Sequence, residues 1–142
     1  MKEELLLSNQ ICFLVYRLDR EIQASYRPLL DVLGLTYPQY LVMLVLWELG
    51  QAEVGKLCSL LNLDTGTISP LLKRLEKSGL IHRKRSEQDE RVVVVSLTDA
   101  GKALEEQALS VPQHMYSCLF HNAEEYVALK QMLGNYIDRL SS

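Results

Sequence analysis

Residues Asp64 to Thr98 read DTGTISPLLKRLEKSGLIHRKRSEQDERVVVVSLT. Leu71, Leu72 and Leu75 recur at helical spacing, with Lys73, Arg74 and Lys77 on the remaining faces. Gly79 follows the last periodic residue, where a helix commonly ends in a left-handed turn that only glycine adopts cheaply. Beyond it, Leu80 to Arg85 and Val92 to Leu97 flank SEQDER, six polar residues that suit a hairpin loop longer than the tightest kind. An amphipathic helix, a glycine stop and a basic hairpin, in that order, predict a winged helix-turn-helix.

The segments on either side extend that reading. Ala52 to Leu61 reads as a short helix, and Asn62-Leu63-Asp64 as the turn after it. The pair makes a helix-turn-helix whose second member is the recognition helix. The start of that helix is open. Asp64 as N-cap puts Pro70 in the interior, where it loses a backbone bond; Thr67 as N-cap puts Pro70 in the first turn, where the missing N–H costs little. Either way Thr65, Thr67 and Ser69 stand near the end that would enter a major groove, with donors and acceptors for base edges or phosphates.

Upstream, Ser8 suits an N-cap, and Ile11, Leu14, Val15, Leu18 and Ile22 give a first helix to about Leu33, kinked or interrupted by Pro28. Gly34 closes it, and Thr36-Tyr37-Pro38 opens a second helix, Gln39 to Leu49, apolar nearly all round and therefore central. Gly50 stops it. Downstream, Thr98 caps a helix carrying Ala103, Leu104 and Ala108. Pro112 breaks or bends this helix, and apolar residues resume through Met115, Leu119 and Phe120. A last helix spans about Ala123 to Leu140. The first and last helices carry more apolar face than a core this size needs, which predicts a homodimer interface built from both chain ends. The expected fold is mainly α with a small β wing. It is one domain of 142 residues. A winged-helix lobe occupies about 36–101, with dimerisation helices at 5–35 and 102–142.

Charge sharpens the partner. The net charge is −3, yet residues 66–86 hold six basic side chains against one acid, Glu76, leaving +5 there and −8 elsewhere. A local basic patch on an acidic chain is the footprint of a nucleic-acid reader that avoids indiscriminate sticking. No signal-peptide pattern is visible, and the longest apolar run, Tyr40 to Trp47, is eight residues against the roughly 20 a bilayer needs. Three cysteines at wide spacing are no secreted disulfide framework, so the expected compartment is the cytoplasm, with no membrane partner. Enzyme readings lack support: there is no Gly-rich phosphate loop, no H-E-x-x-H and no G-x-S-x-G.

The string Asp89-Glu-Arg91-Val-Val-Val-Val-Ser-Leu97-Thr98-Asp-Ala-Gly101 resembles the signature of the MarR family of bacterial regulators, D-x-R, a strand, then L-T-x-x-G. Within that family the chain resembles the organic-hydroperoxide-sensing branch. The matching stretches are Asn9-Gln-Ile-Cys12-Phe-Leu, Tyr26-Arg-Pro-Leu-Leu-Asp31, Leu35-Thr-Tyr37-Pro-Gln-Tyr40-Leu, Leu63-Asp-Thr-Gly-Thr67, Pro70-Leu-Leu-Lys-Arg-Leu-Glu76 and Arg83-Lys-Arg-Ser86. The resemblance covers Asn9 to Gly101; the last forty residues match only in helical character. It implies a homodimer on a near-palindromic operator in double-stranded DNA. Thr65, Thr67, Ser69, Lys73, Arg74, Arg83, Lys84 and Arg85 would contact the duplex. Arg91 at the wing tip would enter a minor groove, oriented by Asp89, a place suited to a planar cation.

Cys12 falls in about the first turn of the first helix, where the helix dipole favours negative charge. By residue type alone it reads first as a small core hydrophobe. The resemblance implies a redox sensor whose oxidation releases DNA, with Tyr26 and Tyr37 holding the thiolate and Tyr16 lining the same pocket. Fourteen residues of straight helix place Cys12 and Tyr26 about 21 Å apart, so they share a pocket only across a sharp bend or between two chains. Tyr16, one turn from Cys12, can reach it within one helix. The resemblance also makes Cys118 a candidate resolving cysteine, whereas Cys58 reads as core packing. His114, Cys118 and His121 could share a helix face, but structural zinc wants four ligands at tighter spacings, so no metal and no cofactor are expected. The alternative is a regulator released by a phenolic or other small-molecule effector, with Cys12 structural.

Overall fold

The computed structural model describes residues 2–141. Two 3-10 turns, Glu3–Leu5 and Leu7–Asn9, lead into α1 (Ile11–Leu33). Ser8, expected as the N-cap, lies in the second turn instead. Gln10 takes the cap position, and its side-chain amide donates back to the Glu4 and Leu6 carbonyls. α1 continues through Pro28 without interruption and ends at Gly34, which takes the left-handed conformation at φ 72°.

Helix α2 (Tyr37–Leu49) opens on a reciprocal cap. The Gln39 N–H donates to Thr36 Oγ1 at 3.3 Å, the Thr36 N–H donates to Gln39 Oε1 at 2.9 Å, and Pro38 sits in the first turn. Tyr40, Val42, Met43, Val45 and Leu46 are all buried, which makes α2 the central helix. After Gly50 a strand stands where the sequence suggested a helix start. β1 (Gln51–Glu53) pairs antiparallel with β3 (Val93–Leu97), and α3 (Val54–Leu61) begins only beyond it. Three residues are too few to show a period; the pairing of Ala52 with Val95 in the valine strand defines them. β2 (Ile81–Arg85) takes the other edge of β3, with Ile81 opposite Leu97. Among the described residues the sheet order is β1-β3-β2. β2 and β3 each start one residue later than the sequence suggested.

Asn62, at φ 53°, turns the chain from α3 towards α4 (Thr65–Lys77). The N-cap left open by the sequence is Asp64, whose Oδ1 accepts from the Thr67 N–H at 2.7 Å. Pro70 therefore lies inside α4 and forgoes one backbone bond. Ile68, Leu71, Leu72 and Leu75 form the buried face that holds α4 in place.

By compactness the chain divides into two units, Met1–Ala108 and Leu109–Ser142. The second holds α6 (Ser110–Leu119) and α7 (Ala123–Ser141), and Pro112 sits in the first turn of α6, just beyond the one-residue helix break at Leu109 that its missing N–H suits. Within it the Tyr116, Phe120 and Tyr126 rings pack with centroids 5.5–5.6 Å apart. Exposed apolar side chains run in series along α1 and α7. On α1 these are Ile11, Leu14, Val15 and Leu18; on α7 they are Val127, Met132, Leu133, Tyr136 and Ile137.

In the first unit, one junction ties the C-terminal end of α4 to α5 (Asp99–Ala108). Thr98 Oγ1 donates to the Gly79 carbonyl at 2.6 Å and accepts from the Gly101 N–H at 3.0 Å, while the Thr98 N–H donates to the Leu80 carbonyl at 3.0 Å. From α2, Trp47 Nε1 donates to the Gly101 carbonyl at 2.9 Å. A Cβ on Gly101 would overlap the Leu80 carbonyl oxygen, so the two backbones meet here with no space between them. Gly101→Ala should therefore lower stability by about 3 kcal/mol, read as a shift of the urea midpoint. An unchanged midpoint would show that the junction can open at no cost.

Candidate nucleic-acid interface and sensor site

Helix α4 and the hairpin form the basic surface. Thr65, Thr67, Lys73 and Arg74 are exposed on α4, and Ser69 is half-buried. A groove between α4 and the hairpin is lined by Thr65, Ser69, Arg83 and Arg91 together with Glu53. Hydrogen bonds from the Thr67 side chain and N–H hold the Asp64 carboxyl below the ordinary range, so the helix keeps an anionic cap. Arg83 is committed within the protein. Its guanidinium donates to Glu76 at 3.0 Å, and its backbone N–H donates to the same carboxylate at 3.2 Å. This bond is the main reason that the Glu76 carboxyl is held down. Lys84 and Arg85 are exposed, and the Arg85 guanidinium donates to the Glu90 carbonyl at 2.8 Å. At the hairpin tip Asp89 Oδ1 accepts from both the Arg91 N–H (3.0 Å) and Nε (3.3 Å), while the Arg91 side chain stays 91% exposed. The guanidinium is thus aimed by its own loop and left open to solvent.

Cys12 is exposed at the second residue of α1, and no side chain caps that helix end. Tyr16, one turn on, is exposed too, with the Arg20 guanidinium 5.5 Å from its ring centre. Tyr26 and Tyr37 are elsewhere. Their ring centres are 4.9 Å apart, and Tyr40 closes the group at 5.8 Å from Tyr26 and 6.3 Å from Tyr37. α1 is one unbroken helix between Cys12 and Tyr26, so within a single chain they are about 21 Å apart. One subunit therefore does not bring the four expected sensor residues together. Tyr40 was not picked out by the sequence reading, although its spacing of three from Tyr37 on a helix was the available signal.

Cys118 is exposed on α6, and its Sγ lies 3.4 Å from His114 Nε2, close enough for proton exchange. His121 falls beyond the end of α6, where its N–H and Nδ1 both approach the Glu125 carboxylate, at 3.1 and 3.3 Å. Among the described residues no group of three or more His, Cys, Asp or Glu could hold a metal ion. Cys58 is half-buried on α3, with its sulfur 4.0 Å from Thr65 Oγ1. No single helix among the described residues is long and apolar enough to cross a membrane.

The family described as transcriptional regulator SarA/Rot matches residues 24–107. The organic hydroperoxide resistance transcriptional regulator of Bacillus subtilis is 46% identical over 134 residues, 94% of this chain and 91% of that protein. AbfR of Staphylococcus epidermidis has been solved in several states. Reduced AbfR bound to DNA superposes with a TM-score of 0.83 at 36% identity, covering 99% of this chain and 97% of AbfR. Disulfide-formed AbfR gives 0.67 at 34% identity, covering 98% and 92%. These relatives are regulators, not enzymes.

The three-ring cluster has its own electrostatic signature. Burial, and secondarily the neighbouring charges of Tyr37 for Tyr26 and of Asp19 for Tyr37, pushes both phenols up. Burial pushes Tyr40 up to about 12. A phenol raised in the folded chain contributes stability that is complete below the ordinary value and is lost as pH climbs towards the folded value. In an ultraviolet titration, three of the seven tyrosines should ionise late, and Tyr40→Phe should remove the latest step. Seven tyrosines titrating together would show that the cluster is open to water.

Proposed function

The chain belongs to the SarA/Rot family of MarR-like winged-helix regulators and is a DNA-binding transcriptional regulator; we propose that it is a repressor released from DNA when an organic hydroperoxide or related oxidant oxidises Cys12. The observation that carries this reading is the exposed Cys12 thiol at the start of α1, at the edge of an apolar face that the chain leaves open. Apolar faces of this extent on α1 and α7 support a homodimer joined through both chain ends, with about 5–35 and 102–142 as dimerisation helices and about 36–101 as the DNA-binding lobe. In that dimer the partner subunit's Tyr26 and Tyr37 would reach Cys12, which the length of α1 denies to the same chain. A two-fold dimer reads a near-palindromic operator, with half-sites about one helical turn apart. Thr65, Thr67, Ser69, Lys73, Arg74, Lys84 and Arg85 face the duplex. Arg83 braces the hairpin from its Glu76 pair, and Arg91 enters the minor groove under the control of Asp89.

The chemistry balances. The Cys12 thiolate attacks the terminal oxygen of the hydroperoxide, the O–O bond breaks, and the alkoxide leaves with a proton as the alcohol. Sulfur is oxidised to the sulfenic acid and the peroxide is reduced. Cys118, giving its proton to His114, then attacks the sulfenic sulfur of the partner subunit; the S–O bond breaks and water leaves, giving an intersubunit disulfide. AbfR has a reduced DNA-bound state, a disulfide-formed state and an overoxidised DNA-bound state, which supports a thiol–disulfide change in this chain as the releasing step. A thiol that must stay reduced until challenged belongs in the cytoplasm. The second reading, release by a phenolic or other small effector with Cys12 inert, draws on the aromatic Tyr26–Tyr37–Tyr40 cluster.

A gel shift on a duplex selected by the reduced protein from a random library, with and without cumene hydroperoxide, tests the reading. Wild type should lose at least tenfold in affinity on oxidation and Cys12→Ser should not respond. Cys118→Ser should lose the covalent dimer band on a non-reducing gel. Equal release of wild type and Cys12→Ser would favour the effector reading, and a retained dimer band would remove Cys118 from the mechanism.

A further inference from the structure

The tyrosine cluster is physically continuous with the base of the hairpin. Tyr40 is 3% exposed and touches both Tyr26 and Tyr37. On its other side its ring meets Trp47, two turns along α2, edge to face at 6.5 Å. Trp47 then donates to the Gly101 carbonyl, and Gly101 is seated against the Leu80 carbonyl with no room for a single added carbon. Leu80 follows Gly79, where the recognition helix turns into β2, and Thr98 binds both of their carbonyls. Each link is a packed aromatic pair, a hydrogen bond or a direct meeting of backbones. In such a chain a displacement at one end is passed on, because close-packed interiors switch between arrangements rather than deform smoothly.

We propose that Tyr40 is a positioning residue for Tyr26 and Tyr37, and that Trp47 couples their placement to the hairpin base through Gly101. The sensing role of those tyrosines rests on the redox reading above; the coupling itself does not. When a tyrosine shifts to accommodate an oxidised Cys12, Tyr40 moves with it and Trp47 pulls or releases Gly101. The end of α4 and the start of β2 then change position together, which alters how helix and hairpin straddle the duplex.

Two measurements separate the coupling from the redox reading. In the first, affinity for the selected duplex is measured before and after cumene hydroperoxide, with dimedone labelling to count sulfenic acid at Cys12. Trp47→Phe should form the same sulfenic acid as wild type, yet show a reduced-to-oxidised affinity ratio at least about fivefold smaller, and Tyr40→Leu should show the smaller ratio whatever its labelling. Tyr40→Phe, which keeps the ring, should restore the wild-type ratio. A full response in Trp47→Phe overturns the coupling. The second is a double-mutant cycle on the reduced protein alone, pairing Tyr37→Ala with Trp47→Phe and reading DNA affinity. Non-additive effects support the coupling and additive effects overturn it, even where wild type proves insensitive to oxidant. Trp47 is the single tryptophan, so its emission gives an internal check: it should shift in Tyr37→Ala, and an unshifted spectrum counts against the link.

Discussion

Thr98 holds three stretches of backbone at one point, two through its hydroxyl and one through its own N–H. Its hydroxyl donates to the Gly79 carbonyl that ends the recognition helix and accepts the Gly101 N–H that begins α5, while its own N–H takes the Leu80 carbonyl at the root of β2. That clasp adds a fixed point to the packed faces that already hold α4, the hairpin and α5. With it, α4 and the hairpin that carries Arg91 keep a fixed relation, which the proposed grip on DNA needs. Gly101 is required for the same reason: the clasp works only if the backbones touch, and they touch only without a Cβ. The L-T-x-x-G string is therefore a packing requirement of the output machinery.

A second constraint acts from the chain ends. α1 is long and straight enough to part Cys12 from Tyr26, and it leaves apolar side chains in the open around the thiol. α7 exposes a stripe of similar character and, among the described residues, buries none of its own. Hydrophobic surface of this kind is costly in water, and a second copy of the chain offers the same kind of surface to cover it. Association then does two things at once. It removes the exposed area, and in the proposed reading it brings the partner's tyrosines to the thiol. In the proposed reading, sensing is a property of the dimer.

Much of this was legible in the sequence where periodicity or a special residue carried it. The leucines of α4, the stops at Gly34, Gly50 and Gly79, and the turn between Arg85 and Val93 all announced themselves. The Asp89–Arg91 pair came from the resemblance of the D-x-R string. What stayed hidden depends on distant partners. β1 has three residues and exists because β3 offers it a ladder. The helix start at Asp64 was ambiguous, since a buried face of four apolar residues outweighs the bond lost at Pro70, and that face is seen only after folding. Arg83 read as one more free cation until its Glu76 partner, seven residues away and on another element, came into view. Tyr40 and Trp47 looked like core aromatics in an apolar helix. Their placement between the tyrosine cluster and Gly101 is a tertiary fact with no local signature.

The most direct test of the account is chemical sorting on DNA. Wild-type protein bound to an immobilised, selected duplex is treated with less than one equivalent of cumene hydroperoxide in the presence of dimedone, and released and retained fractions are mapped by peptide mass spectrometry. The account predicts Cys12 modification, as dimedone adduct or as disulfide with Cys118, concentrated in the released fraction, with reduced Cys12 in the retained one. The same degree of Cys12 modification in both fractions would contradict it.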